Sequence, residues 1–333
     1  MSVAVGSRAV PALLREGTAR LDSAGSATAR QDAEWLLASV LGVGRFDLYL
    51  EPRREIPDAA LDRYLALLRR RAGGEPLQHL LGFEDFAGLR LAVTPDVLIP
   101  RPETEGLVEW ALGLLGGDAP VVVADVGTGS GAIACALAAA RPRARVIATD
   151  VSLPALDVAA ANVAALGLGD RVHLLAADLL SPLHGKRGGP ETGSGGAAIP
   201  SGDRGADGRR ERSGLDMVVA NPPYLQTGAI AGLPREVAAF EPRLALDGGP
   251  DGLRVIRRVV AAAAGALRPG GWLLMEIGEE QAGPIASLMA AEGFSGIESR
   301  LDLRGVERYV GGQLGEPGVT PGLRLEAPRR VCG

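Results

Sequence analysis

Residues 121–140 read VVVADVGTGSGAIACALAAA. A mostly apolar run, Val121–Val126, meets a turn with glycine at 127, 129 and 131, and an Ala-rich segment follows with no turn residue in it. These pieces predict a buried strand, a tight turn and a helix, in that order. Glycine carries no Cβ, so the turn Gly127-Thr128-Gly129-Ser130-Gly131 lets backbone N–H groups at the start of a helix come close to a ligand. The spacing is G-x-G-x-G, and on its own such a turn is common. What surrounds it decides the fold.

Outward from that unit the same alternation continues. Strands are expected at Arg145–Thr149, Val172–Ala176, Met217–Ala220, Trp272–Ile277, Gly296–Asp302 and Glu307–Val310. Helices are expected at Pro154–Leu166, Leu253–Leu267 and Glu280–Glu292. Repeated β-α units of this kind predict an α/β fold: a Rossmann-like, mostly parallel sheet covered on both faces. Upstream, Leu107, Val108, Ala111 and Leu115 repeat on one face of a helix over Thr104–Leu115. Pro95, Pro100 and Pro102 forbid a helix just before it, so residues 83–103 read as an extended linker or hairpin. Residues 1–82 read as a small helical bundle. Ala33, Leu36, Leu37, Val40 and Leu41 share one face before Gly42, and Leu61, Tyr64, Leu65 and Leu68 share another before Arg69, Arg70 and Arg71. The large domain spans residues 104–313. Within it, 184–214 is Gly, Pro, Ser, Arg and Asp without apolar periodicity and reads as an insertion unable to order itself. The Gly- and Pro-rich tail 314–333 reads as loose.

Composition limits the function. The chain has 333 residues, is 47% hydrophobic and only 4% aromatic, so its core must rest on Ala, Val and Leu. A formal net charge of −5 argues against duplex DNA as the main partner, because phosphate neutralisation needs a basic surplus. Lys186 is the single lysine, which reflects a bias toward Arg rather than a function. Two cysteines, Cys135 and Cys332, make no disulfide framework. No secretory signal or membrane span is read, and no metal-ligand spacing, so a cytoplasmic protein without a metal is expected.

The candidate site residues lie where the expected strands end. Asp150 follows the second strand, where a carboxylate can accept the two hydroxyls of a ribose; it is equally suited to cap the helix at Pro154. Asp178 follows the third strand at the place of an adenine amino group, with Leu179 beside it to pack on the ring; an acid there is also ordinary turn chemistry. Asn221-Pro222-Pro223-Tyr224 comes directly after the fourth strand. Two prolines stiffen this turn, so the Asn221 side-chain oxygen and the Pro222 carbonyl point in fixed directions and can accept both hydrogens of a planar NH₂ group. Tyr224 can stack on the flat group that carries it. A plain proline turn is the alternative.

With these residues in view, the chain resembles the bacterial peptide chain release factor glutamine methyltransferases, in the class with N-P-P-Y. Four further stretches carry the resemblance: EPLQHLLG at 75–82, VLIPRPETE at 97–105, FEPRLAL at 240–246 with GGPDGL at 248–253, and DLRG at 302–305 through Arg308. It runs from about Ala33 to about Val310, broken by the insertion. The resemblance implies S-adenosylmethionine as methyl donor, the glutamine of a Gly-Gly-Gln loop in release factors as acceptor, and a helical N-terminal domain that docks the protein substrate. It places Gly127 to Gly131, Asp150, Leu179 and Asn221 against the donor, and Asn221, Pro222, Pro223 and Tyr224 against the glutamine. Glutamine methylation of a ribosomal protein and adenine N6 methylation of DNA are the alternatives; the same amine clamp would serve both, with Tyr224 stacking on an extruded base in the second. A non-catalytic nucleotide-binding module would have no need of the clamp. The acids Glu103, Glu105 and Glu109 could offer a carboxylate near the donor, but their helical position favours a solvated face, and the chain's own Gly311-Gly312-Gln313 reads as a coincidence of a Gly-rich sequence.

Overall fold

The computed structural model describes residues 9–181, 214–316 and 326–330. The insertion expected at 184–214 lies outside them except for Gly214, as do residues 317–325 and 331–333 of the expected tail. The chain divides into two units: residues up to Phe83 with 93–95 and 233–241, and 84–92 with 96–232 and 242–333.

The first unit holds helices α1 (Val10–Ser23), α2 (Ala29–Leu41), α3 (Asp47–Leu50), α4 (Asp58–Ala72) and α5 (Leu77–Leu81). Pro11 starts α1, and Gly42 ends α2 in the left-handed region, at φ 65°. Leu13, Leu21, Leu36, Leu37, Tyr64 and Leu68 form its core. Gly17 leaves room for the Tyr64 hydroxyl, where any Cβ would collide with it. A buried cation holds the polar side together. Arg71, from the last turn of α4, lies 2.7 Å from Asp32 of α2 and 2.9 Å from Glu236 in the segment 233–241. Asp32 also accepts the hydroxyls of Ser26 and Thr28, so its charge is fully solvated by protein.

The second unit, from Glu84, opens with a two-stranded pair, β1 (Phe83–Phe86) and β2 (Leu89–Ala92), of which only Phe83 is counted with the first unit, then α6 (Pro102–Leu114). It continues with β3 (Val121–Val126), α7 (Ala132–Ala140), β4 (Ala144–Asp150), α8 (Leu153–Ala165), β5 (Val172–Ala176) and β6 (Leu215–Ala220). After the short helix α9 (Arg235–Ala238), which belongs to the first unit, come α10 (Arg254–Ala266), β7 (Leu267–Glu276), α11 (Ala282–Ala291), β8 (Phe294–Leu301), β9 (Glu307–Leu314) and β10 (Glu326–Arg330). Eight strands make one sheet in the order β10-β8-β9-β7-β6-β3-β4-β5. From β5 through β7 every pairing is parallel; β9 is antiparallel to both its neighbours. Within the stretch expected to be a loose tail, residues 326–330 pair with β8 as an edge strand.

Alternate residues of each strand feed opposite faces. Val123, Val146, Met217, Val219 and Leu274 pack under α6 and α7, whereas Ala124, Ile147, Val218, Leu273 and Met275 pack under α10 and α11. Both layers are mostly aliphatic, as the low aromatic content requires. Gly311-Gly312-Gln313 sits inside β9. A Cβ on Gly311 would stand 2.6 Å from the Trp110 ring, and the Gln313 amide donates to the Gly270 carbonyl at 2.8 Å. The triplet is therefore explained by close packing of β9 on α6.

The chain runs from β3 outward to β4 and β5, then returns to the other side of β3 with β6. Ligands of open parallel sheets bind beyond the strand ends at such a reversal. Val126 pairs with Ala220 in register, so Gly127 and Asn221 leave the sheet side by side.

Candidate functional site

An open cavity of about 240 Å³ lies beyond the C-terminal ends of β3, β4, β5 and β6. Of the residues singled out from the sequence, Gly127, Thr128, Gly129, Ser130, Asp150, Asp178, Leu179, Asn221 and Pro223 line it. Gly131, Pro222 and Tyr224 do not. Gly131 turns the chain into α7 at φ 81°, Pro222 is buried, and the Tyr224 ring packs against the aliphatic layer under α10.

The glycine turn is fixed from below and from the side. Gly127 and Thr128 both donate to the Thr149 carbonyl at 2.9 Å. Asp125, fully buried, accepts the Thr128 hydroxyl at 2.6 Å and the Ala134 N–H at 3.1 Å with the same oxygen. Burial, together with the nearby charge of Asp150, pushes the Asp125 carboxyl up to about 7 against the pull of those two hydrogen bonds. Asn162 of α8 donates to the Ser130 carbonyl at 2.8 Å and exchanges two hydrogen bonds with the Ala92 backbone, so one amide ties the turn to β2. Gly127 and Gly129 have positive φ, and nothing stands within 4 Å of where their Cβ atoms would be. That is an open cradle.

Asp150 accepts the N–H of Gly129 with one oxygen and that of Ser152 with the other, both at 2.9 Å. The cap of α8 is Ser152, whose hydroxyl accepts from Ala155, so Asp150 is not the capping residue. A carboxylate has about four acceptor positions, so two stay available for hydroxyls. Asp178 is bound to the Arg258 guanidinium at 2.6 Å, and Leu179 holds a strained φ of 55° beside it. Apolar walls come from Leu98, Ile133, Val151, Leu179 and Val255. Open glycine backbone, a two-hydroxyl acceptor and an apolar slot together suit a nucleoside carrying a charged tail.

The Asn-Pro-Pro-Tyr turn is braced by the segment that follows it. The Leu225 N–H donates to the Leu246 carbonyl, the Gly248 N–H donates to the Leu225 carbonyl, and a Cβ on Gly248 would stand 2.7 Å from the Pro223 carbonyl. Gln281 donates to the Tyr224 carbonyl at 3.0 Å. The Tyr224 hydroxyl donates to Glu276 at 3.3 Å, and burial next to that carboxylate raises its pKa. The Asn221 amide nitrogen donates to the Thr104 hydroxyl at 3.1 Å, leaving its oxygen for a ligand.

Three residues of this site have no site signal in the sequence: Asn162 under the glycine turn, and Thr104 and Glu276 behind Asn221; Asp125 opens the glycine motif, but its role under the turn shows only in the structure. Thr104 lies among the acids 103, 105 and 109, which drew the attention. None of those acids lines the cavity. Glu103 pairs with Arg304, Glu105 accepts the Ala87 N–H at 2.8 Å, and Glu109 is exposed.

Two family models match the chain: the PrmC N-terminal domain over residues 12–82 and the Methyltransferase small domain over residues 115–187. The hMettl16 catalytic domain, solved in complex with MAT2A 3'UTR hairpin 6, shares the fold at 18% identity and a TM-score of 0.51, over 77% of this chain and 84% of that one. Sequence relatives are much nearer. The release factor glutamine methyltransferase of Moorella thermoacetica is 44% identical over 84% of this chain and 89% of its own length. That of Burkholderia pseudomallei is 43% identical over 85% and 91%. At that identity and coverage, with a methyltransferase sheet whose reversal point joins the glycine turn to Asn221, the chain belongs to the release factor glutamine methyltransferase family.

Proposed function

We propose that the protein methylates the side-chain nitrogen of the glutamine in the Gly-Gly-Gln loop of peptide chain release factors, with S-adenosylmethionine as donor. The observation that carries this is the emergence of Asn221 from β6 beside the glycine turn of β3, its amide nitrogen already engaged and its oxygen free. The relatives named above carry the same activity in their names over most of this chain's length.

S-adenosylmethionine supplies, when bound, an electrophilic methyl group. Gly127 to Gly131 would receive its amino acid end on backbone N–H groups, Asp150 its ribose hydroxyls, and Asp178 with Leu179 the adenine. The Asn221 oxygen and the Pro222 carbonyl would take the two hydrogens of the glutamine amide and turn its π face toward the methyl. That placement matters because the amide lone pair is delocalised and nucleophilic only in a narrow geometry. The same two oxygens favour the positive charge that grows on nitrogen as its bond to the methyl forms and the methyl's bond to sulfur breaks. The proton leaves afterwards, when the nitrogen is far more acidic, so no strong base is required. Pro223 and Tyr224 hold the turn rigid; Tyr224 would serve as a flat support for the glutamine once the substrate is seated. The helical unit, residues 1–82, is assigned to recognition of the protein substrate, with exposed Phe46 and Leu50 as apolar contacts. A cytoplasmic site of action follows, since release factors work where translation occurs. No helix among the described residues is long and apolar enough to cross a membrane.

The test is transfer of labelled methyl to purified release factor, with ribosomal protein and duplex DNA in parallel. Label on the release factor that disappears when its Gly-Gly-Gln glutamine is replaced supports the reading. Label only on ribosomal protein or DNA replaces the acceptor.

A further inference from the structure

Glu276 ends β7 as a buried carboxylate, and the reaction described above does not use it. One oxygen accepts the Thr104 hydroxyl at 2.6 Å and the other faces the Tyr224 hydroxyl at 3.3 Å. Thr104, itself buried, stands in the first turn of α6 and borders the cavity. A hydroxyl has one proton, and an ionised carboxylate only accepts. The Thr104 proton is therefore directed to Glu276, and its oxygen can only accept from Asn221. The Asn221 atom that faces it at 3.1 Å must then be the nitrogen. Nothing in the Asn-Pro-Pro turn itself distinguishes the two orientations of an amide, whose oxygen and nitrogen have the same shape.

We propose that Glu276 and Thr104 are positioning residues that set the orientation of the Asn221 amide, so that its oxygen rather than its nitrogen meets the glutamine. This rests on the glutamine reading above. In the reversed orientation the NH₂ of Asn221 would face the NH₂ of the substrate, donor against donor, and the clamp would be lost. The Glu276 carboxyl is raised above its ordinary value, chiefly by burial; Thr104, Arg308, Tyr224 and Arg101 oppose that rise, Arg308 and Arg101 through their positive charge. Those cations favour the acceptor-only form on which the chain of bonds depends. Three separate elements thus meet at one purpose: β7 supplies the charge, α6 the hydroxyl and the end of β6 the amide.

Glu276→Gln keeps the shape but no longer dictates the direction of the chain. With its NH₂ toward Thr104, the Thr104 proton is sent to the Asn221 oxygen; with its oxygen there, the bond survives without the charge. Thr104→Val keeps the volume and removes the hydroxyl; Thr104→Ser keeps the hydroxyl. Each variant is assayed for kcat and KM with release factor, for donor affinity, for melting temperature, and for the side-chain NH₂ resonances of Asn221 in ¹⁵N-labelled, ligand-free protein. Glu276→Gln and Thr104→Val should lose about 10- to 100-fold in kcat, the rate equivalent of one charge-assisted hydrogen bond, while donor affinity holds. Thr104→Ser should restore kcat. The Asn221 resonances should move in the first two variants and stay in the third. Unchanged kcat in folded Glu276→Gln and Thr104→Val, equal losses in Thr104→Ser and Thr104→Val, or unmoved Asn221 resonances overturn the proposal. If the wild-type protein does not label release factor at all, the acceptor is wrong, and the resonances alone decide the orientation of Asn221.

Discussion

Asp125 offers a test of how the glycine turn is held. Its carboxyl lies at about 7 rather than its ordinary 3.8, chiefly through burial. A carboxyl whose folded value lies above its unfolded one favours the fold most when protonated. Its contribution is complete below the unfolded value and is lost as pH rises through about 7. Each unit of difference is worth about 1.4 kcal/mol, and the linkage integral between about pH 5 and about pH 8 comes to about 2.6 kcal/mol of stability lost. Asp125→Asn removes the ionisation and keeps the geometry. The oxygen that accepts from Thr128 and Ala134 is retained, and the NH₂ replaces an oxygen that has no hydrogen-bond partner. An unpartnered NH₂ costs about 1–3 kcal/mol, but by the same amount at every pH. The difference between wild type and variant should therefore shift in the variant's favour by about 2–3 kcal/mol between the two pH values, or about 5–10 °C in the melting midpoint of the sheet unit. Other titrating groups cancel in that difference. Parallel melting profiles would refute the assignment of a raised, ionising carboxyl at the floor of the turn.

Asn221→Ala should lower turnover on release factor by about 100-fold or more, read as kcat at saturating donor; unchanged turnover removes the amine clamp. Asp150→Ala strips the acceptor from Gly129 and Ser152 as well as from a ribose, so calorimetric titration should show donor affinity at least about tenfold weaker, one lost hydrogen bond to charge being enough. Gly248→Ala would place a methyl 2.6 Å from the Gly252 carbonyl and 2.7 Å from that of Pro223; it should cost about 1–3 kcal/mol by denaturant titration and lower kcat with it. Arg71→Met leaves Asp32 buried without its cation and should destabilise the helical unit by about 3 kcal/mol in the same measurement, with Ser26 and Thr28 softening the loss.

The sheet core was readable because each strand is a short aliphatic run closed by a turn residue. Val121–Val126, Ala132–Ala140 and Val172–Ala176 are placed to the residue. β7 was read too short, as 272–277 instead of Leu267–Glu276, because Arg268, Pro269, Gly270 and Gly271 look like a loop; the strand tolerates them where its pairing with β6 slips register. α1 went unseen, since its apolar face of Val10, Leu13, Gly17 and Leu21 includes a glycine that only the Tyr64 hydroxyl explains. The candidate site was half legible. Gly127 and Asn221 follow strands and Asp150 ends one, and local sequence announces such positions. Tyr224 also has a packing role that its sequence position does not announce: its hydroxyl is bound to Glu276 and its ring packs on the core.

Hydrophobic period, turn chemistry and strand-end polar residues are local properties, so the sequence by itself determined the α/β class, the order of the sheet unit's elements from β3 to β9 and which loops put polar residues at strand ends. Tertiary structure decided which of those loops meet. It set β6 beside β3 so that Asn221 stands next to Gly127, and it placed β9 antiparallel between β7 and β8. It also brought Thr104 and Glu276, 172 positions apart in the chain, within 2.6 Å of each other. A hydrogen bond between groups so far apart has no local signature. Its donor and acceptor are ordinary residues until the packing of a helix against a strand end shuts water out and leaves each as the other's partner.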